Sequence, residues 1–318
     1  MTPEITANTS APQVPPRRNT GLHGAFWTHC LLRFMRFVPS GLARLLVWPV
    51  TLVIYLLAKA QRQAILGNLG ALRPDFGPVE RWWAGFRVFL NFALTYLDRL
   101  WVMHFGKKVR WEVSNAERFE ELRAQPGGVL IFTIHSGNYD LGAAIFAQKS
   151  GRRLHTVRAP EQTEQLQKLR EEELRRSEKE NPMLRVHYNL GDNHLGLELC
   201  RVLREGDAVA VQGDRVLSAV SPAAMNHEGR TYQIPRGPLV LAEISRAPCY
   251  PIFLERIGCL HYCIHIGSCF QKGTERLRAD DIARLWLPIL HQHLQEHWDQ
   301  WFVFEPLVEL TPVERTPA

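Results

Sequence analysis

Residues 128–140 read GVLIFTIHSGNYD, and this stretch decides the fold. GVLIFTI (128–134) is an apolar run of strand length without polar alternation, the pattern of a strand buried on both faces. Ser136-Gly137-Asn138 supplies turn chemistry, with glycine free to take a positive φ, and Asp140 opens the helix-like segment DLGAAIFAQ. Strand, tight turn and helix in that order predict one βα unit.

Outward from this unit the alternation repeats. RRLHTV (152–157), MLRVHY (183–188) and DAVAVQ (207–212) read as strands, and CYPIFLER (249–256) and CLHYCIHIG (259–267) as a strand pair. Helices are predicted at 161–180, over HLGLELCRVLRE, at 238–246 and at roughly 279–300. The segment 81–105 reads as one long helix, its stripe Trp83, Phe86, Leu90, Leu94 and Leu97 facing a core. The fold class expected is α/β, a central, mostly parallel or mixed sheet flanked by helices on both faces.

The N-terminal region differs in kind. Residues 1–20 have almost nothing apolar to bury and read as a disordered leader. FWTHCLLRFMRFV (26–38) places His29, Arg33 and Arg36 on one helical face and aromatic and aliphatic side chains on the rest. LLVWPVTLVIYLLA (45–58) is uncharged for 14 residues between Arg44 and Lys59. At ~1.5 Å per residue that run covers roughly 21 Å, short of the ~30 Å hydrocarbon core unless the flanking cations snorkel. Residues 5–74 contain no acid and eight basic residues, while the remaining 30 basic and 32 acidic residues nearly cancel. The net charge of +6 therefore belongs to one end. That suits anionic headgroups and an interfacial or spanning anchor, and excludes a nucleic-acid binder with a basic stripe across its fold. Six scattered cysteines without a C-x-x-C pair predict buried, reduced thiols and the cytoplasmic side.

A histidine followed five residues later by an acid occurs three times, at His135/Asp140, His187/Asp192 and His291/Glu296. On a continuous helix such residues lie ~140° apart, so a working pair needs a strand, a turn and then a helix. His135 has that context clearly; His187 in HYNLGD competes, and His291 lies inside a helix as a surface or partly buried residue. A histidine oriented by a carboxylate suits general-base removal of a hydroxyl proton. There is no G-x-S-x-G elbow for an acyl-serine. H-E-x-x-H is absent and His291, His293 and His297 do not share one face, so zinc hydrolysis is disfavoured.

With these residues in hand the chain resembles the lipid A biosynthesis (late) acyltransferases, within the lysophospholipid and glycerolipid acyltransferase group. HSGNYD (135–140) matches the family's H-x4-D/E block, Arg158 in HTVRAPEQ its post-helix arginine, and Asp214 in GDAVAVQGDRV its strand-end aspartate. YQIPRGPLVLAEISRAPCYPIFLER (232–256) and RQAILGNLGALRP (62–74) extend the likeness over roughly residues 40–305. Asp140 stands where glutamate is common in lipid A enzymes, and GDR replaces their Asp-rich strand end.

The resemblance implies transfer of a fatty acyl chain from an acyl carrier protein or coenzyme A thioester to a lipid hydroxyl at the cytoplasmic face of the bacterial inner membrane. His135 would be the base and Asp140 its orienting partner. Arg158, Asp214 and Arg215 would serve substrate phosphates or the developing oxyanion, with a local Asp214–Arg215 ion pair as the structural alternative. No metal and no cofactor is expected beyond the thioester co-substrate; the partners are membrane lipids and the donor, not nucleic acid. The acceptor is a glycolipid of lipid A type or a phospholipid, and a lipid-binding protein without catalysis is the competing class. The basic patch Lys149, Arg152 and Arg153 is the expected dock for an acidic carrier. The expected organisation is a leader over 1–20, membrane-associated helices over 21–60 and an acyltransferase domain over 61–318.

Overall fold

The computed structural model describes residues 32–33, 35–159, 167–168, 171–172, 175, 179, 181–189, 194–216 and 222–310. The leader at 1–20, the first part of the amphipathic stretch and most of the charged helix at 161–180 lie outside the described residues.

Seven strands form the main sheet: β1 (Arg110–Val113), β2 (Val129–Thr133), β3 (Leu154–Arg158), β4 (Leu184–Tyr188), β5 (Ala208–Gln212) and, after the hairpin β6 (Pro222–His227) and β7 (Arg230–Pro235), β8 (Cys249–Gly258) and β9 (His261–Ile266). Their spatial order is β1-β9-β8-β2-β5-β3-β4. Every neighbouring pair is parallel except β8 with β9. A small antiparallel sheet joins β6 and β7 to β10 (Val308–Leu310). The α/β class and the β8–β9 pair are as the sequence predicts.

The helices are α1 (Ser40–Leu57), α2 (Lys59–Leu72), α3 (Pro78–Phe105), α4 (Ala116–Arg123), α5 (Tyr139–Ser150), α6 (His194–Arg204), α7 (Arg236–Ser245) and α8 (Ala279–Glu296). They cover both sheet faces. Val129 and Ile131 of β2 join Leu122 of α4 and Phe146 and Ala147 of α5 in one core. Leu130 and Phe132 point the other way, onto Leu203 of α6, Leu239 of α7 and Trp286 of α8. A strand squeezed between two cores must be apolar at every position, which is why VLIF carries no alternation.

Helix α3 lies under a third cluster that includes Tyr55, Phe86, Phe89 and Leu90. Of the stripe expected to face the core, Phe86, Leu90 and Leu97 are buried, but Trp83 is exposed. Its ring instead packs edge-on against Trp82 and Phe86 along the helix surface. Helix α1 rests on α3 through Tyr55, whose hydroxyl donates to Trp82 O at 2.8 Å. Arg62 donates to the carbonyls of Tyr55 and Leu56, placing a cation at the α1 C-terminus where the last carbonyls lack partners. The other sides of α1 expose Leu45, Trp48, Val53, Leu56 and Leu57. Among the described residues α1 is the one helix long and apolar enough to cross a membrane, by length and composition.

Two polar staples fix the loops. Asn68 of α2 donates to Glu305 O and accepts from Leu307 N and Val308 N, tying α2 to β10. Arg152 donates to the carbonyls of Arg123, Gln125, Gly127 and Gly206. Arg153 faces Asp207 at 3.7 Å. Of the expected carrier dock, Arg152 thus bonds carbonyls that α4 and the loops before β2 and β5 leave open. It also precedes β3, at the end of the parallel strands opposite His135. The short elements β1, α4, β6, β7 and β10 have no counterpart in the sequence-based expectation. Strands β1 and β6 alternate between exposed and half-buried positions and β10 is mostly exposed, so these leave no apolar run.

Candidate active site

Strands β2 and β5 run parallel with Thr133 opposite Gln212, so the residues two beyond, His135 and Asp214, emerge side by side at the carboxyl end of the sheet. Asp214 accepts from the His135 backbone N–H at 2.9 Å, and its other oxygen lies 2.9 Å from His135 Nδ1. Trp301 Nε1 donates to Asp214 at 2.8 Å, and Phe302 N donates to His135 O at 2.8 Å. Burial pushes the Asp214 carboxyl up, but the His135 imidazole and these donors outweigh it and hold the group below the usual carboxylate range. An ionised Asp214 can only accept, so Nδ1 carries a proton, and in the neutral imidazole the lone pair is on Nε2.

The turn that presents His135 allows little freedom. Gly137 has φ +52°, and a Cβ there would sit 2.5 Å from Leu254 O. Ser136 Oγ donates to that same carbonyl at 3.0 Å. Asn138 caps α5 by accepting from Leu141 N, and its amide donates to Thr95 O of α3.

Asp140 sits elsewhere in the site than expected. One of its oxygens is bonded to Arg158 and the other lies 3.2 Å from Arg99 of α3. Desolvation raises its carboxyl, but the two guanidinium groups hold it low. The carboxylate bonded to the His135 ring is thus Asp214, while Asp140 pairs with Arg158 and Arg99. The reason is geometric: Asp140 is the second residue of α5, facing β3 and α3, whereas Asp214 arrives in register from the adjacent strand. The Asp214–Arg215 ion pair is also corrected, since Arg215 bonds Glu305 at 2.5 Å. Arg158 is where the sequence places it, at the end of β3.

Beside Asp140 and Arg158 lies a cavity of about 80 Å³. Ile131, Ala210, Ile252 and Ile264 of the sheet form one wall, and Gly142 and Phe146 of α5 the other. A Cβ on Gly142 would come within 1.9 Å of Leu254 Cδ2, so the glycine sets how closely α5 approaches β8. Tyr139 also lines the cavity, edge-on to the His135 ring at 5.5 Å between centres. Burial, reinforced by Asp140, pushes its phenol up to about 12, so it stays protonated.

Sequence reasoning missed Arg99, Tyr139 and Trp301. The signal for Arg99 was present, an Asp98-Arg99 charge pair inside an otherwise apolar helix. Asp98, fully buried, accepts from Arg256 Nε at 2.7 Å and from the Tyr262 hydroxyl at 2.9 Å. Of the competing histidines, His187 bonds His155 at 2.8 Å, and His291 is buried against Tyr232 and Glu228 rather than on the surface.

A family model described as bacterial lipid A biosynthesis acyltransferase matches residues 14–308. No curated protein matches the chain.

Proposed function

Because the chain belongs to the bacterial lipid A biosynthesis acyltransferase family, we propose that it moves a fatty acyl group from a thioester donor to a hydroxyl of a lipid A-type glycolipid, with His135 as general base. The observation that carries the reading is the Asp214–His135 pair, which leaves Nε2 as the basic nitrogen at the end of the sheet. Nε2 removes the acceptor hydroxyl proton as that oxygen attacks the thioester carbonyl. Asp214 stabilises the imidazolium that results. The tetrahedral oxyanion then collapses, the C–S bond breaks, and the thiolate takes the proton from His135. An ester and a free thiol are the products, and the scheme needs neither a metal nor a covalent enzyme intermediate.

Arg158, with Arg99 behind it, offers guanidinium N–H groups to the oxyanion or to substrate phosphate, and Asp140 holds both in place. Arg215 is the further phosphate contact. The apolar cavity between the sheet and α5 takes the acyl chain. Helix α1, 18 residues and ~27 Å long, seats the chain in the inner membrane with the catalytic domain on the cytoplasmic face. An acyl carrier protein or coenzyme A brings the donor.

The test is acyl transfer by the purified full-length chain, with lipid A precursor in mixed micelles and either thioester. His135→Ala is expected to lose transfer while still binding the acceptor. Near-wild-type turnover in that variant refutes the base assignment, and acceptor binding without transfer by the wild type favours the lipid-binding class.

A further inference from the structure

A second group of ligating side chains lies outside the dyad. Phe253 of β8 pairs with His265 of β9, so Glu255, two residues on, shares a sheet face with His265. The end of α8 crosses that face and adds His297. Glu255 presents one carboxylate oxygen to His265 Nε2 at 2.8 Å and the other to His297 Nδ1 at 3.5 Å. The three ligand atoms lie within 4.8 Å of one another. All three side chains are partly open to solvent, while His293 stacks on Phe253 at 3.9 Å and on His297 at 4.7 Å between ring centres, packing one side of the His297 ring.

We propose that Glu255, His265 and His297 bind a divalent transition metal with the ligand preference of zinc, at a site separate from the His135–Asp214 dyad. Two imidazoles and a carboxylate are donors zinc accepts, with water in the fourth position. Tetrahedral bonds of ~2.0–2.1 Å put ligand atoms roughly 3.3 Å apart. The His297–Glu255 separation of 3.5 Å fits, and His265, 2.8 Å from the other carboxylate oxygen, exchanges its hydrogen bond for the metal as the three ligand atoms close from within 4.8 Å. The sequence expectation against zinc weighed α8 alone; the carboxylate and the second imidazole come from strands that α8 crosses.

The site has a route to the dyad. Directly after His297 a single 3-10 turn, Trp298–Gln300, leads to Trp301, the donor to Asp214. Gln300 clamps this segment to β8, accepting from Arg256 N at 2.7 Å and donating to Arg256 O at 3.0 Å. A metal joining β8, β9 and His297 therefore fixes the segment that positions Trp301 and Phe302 on the dyad. This part of the proposal rests on the acyltransferase reading; the metal site itself does not.

The experiment uses the untagged full-length chain in detergent, stripped with chelator and titrated with zinc chloride. Bound metal is counted after desalting, and melting temperature is followed with and without zinc. One zinc per chain and a zinc-dependent rise in melting temperature are expected for the wild type. Glu255→Gln, which keeps the shape of the side chain, and His265→Ala are each expected to bind at least tenfold more weakly. Cobalt bound to the wild type is expected to show the visible bands of a tetrahedral centre, a readout that needs no variant to fold. No zinc on the wild type, or wild-type affinity in both variants, overturns the proposal. Zinc lost only in His291→Ala overturns it too, by moving the ion to His227, Glu228 and His291, the second group with suitable spacing. Zinc-loaded wild type is expected to turn over several-fold faster than stripped protein, and equal rates remove the coupling. Zinc bound as described with no acyl transfer in either state leaves the metal site standing and the functional reading refuted.

Discussion

Asp214→Asn separates the two carboxylates that compete for the role of histidine partner. The native carboxylate accepts from three donors: the His135 N–H at 2.9 Å, the His135 Nδ1–H at 2.9 Å and Trp301 Nε1 at 2.8 Å. Asparagine offers one oxygen and one NH2 in their place. If its NH2 faces the Trp301 and backbone side, it opposes two buried N–H groups, each left unsatisfied at about 1–3 kcal/mol. If the NH2 faces Nδ1 instead, both those bonds survive and the conflict is relieved by moving the imidazole proton to Nε2. The second arrangement wins because it leaves no donor facing a donor, and it leaves His135 neutral with its proton on Nε2, which can accept none from the substrate. The same tautomer error in a serine-protease triad costs ~10⁴ in kcat, and a loss of that order, about 5.5 kcal/mol of barrier, is expected here. Initial rates of thiol release with saturating acceptor measure it, and the nitrogen shifts of the labelled imidazole report the tautomer. Asp140→Asn, which touches arginines and not the imidazole, is expected to keep the wild-type tautomer and lose far less in kcat. A ~10⁴-fold loss in Asp140→Asn beside less than tenfold in Asp214→Asn refutes the reasoning.

Asp140→Asn also has a signature in stability. Its folded carboxyl is held below the unfolded value of about 3.9, so the contribution is complete above that pH and fades as pH falls through the folded value. A deficit of about 3–5 kcal/mol at pH 7, from two guanidinium groups left unpaired, is expected to shrink in acid. Denaturant titration at pH 7 and at pH 3 checks it, and a pH-independent deficit contradicts the ion-pair account. Arg152→Ala is expected to lose about 2–3 kcal/mol of stability and to lower activity equally with carrier-bound and coenzyme A donors, whereas selective loss with the carrier supports a docking role. Leu45→Glu with Val53→Glu puts two charges on the exposed side of α1 without touching Tyr55. Cell fractionation is expected to show loss from the membrane, and full retention moves the anchor away from α1.

The parts of the fold legible in the sequence are those where burial leaves no choice. VLIF is enclosed by two cores and must be apolar throughout, and Gly137 must be glycine because its φ is positive and Leu254 O lies beneath it. The same logic exposes α3 and the β8–β9 pair. Where a strand meets solvent on one face, as β6 does, the sequence Pro222–His227 alternates too weakly to be distinguished from a loop. Arg99 was hidden for a different reason. A buried charge in a helix reads as an interruption until the elements that neutralise it, here α5 and β3, are placed against it.

The dyad shows why a local reading pairs His135 with Asp140 while the fold bonds its ring to Asp214. Within one chain segment, His135 and Asp140 are as near as a strand–turn–helix allows, so proximity in sequence favours Asp140. Parallel pairing overrides this. Because β2 and β5 are locked with Thr133 opposite Gln212, any residue two past the end of one strand stands beside the residue two past the end of the other. Such alignment costs loop-closure entropy over 79 residues and is invisible in a window. It was nevertheless implicit in two apolar runs of equal length, each ending in a glycine-containing turn with a polar residue at the same offset. The acid that matters to a strand-end histidine is the one at the matching offset on the neighbouring parallel strand. Its nearest acid in sequence opens the following helix, where it is free to organise cations around the cavity.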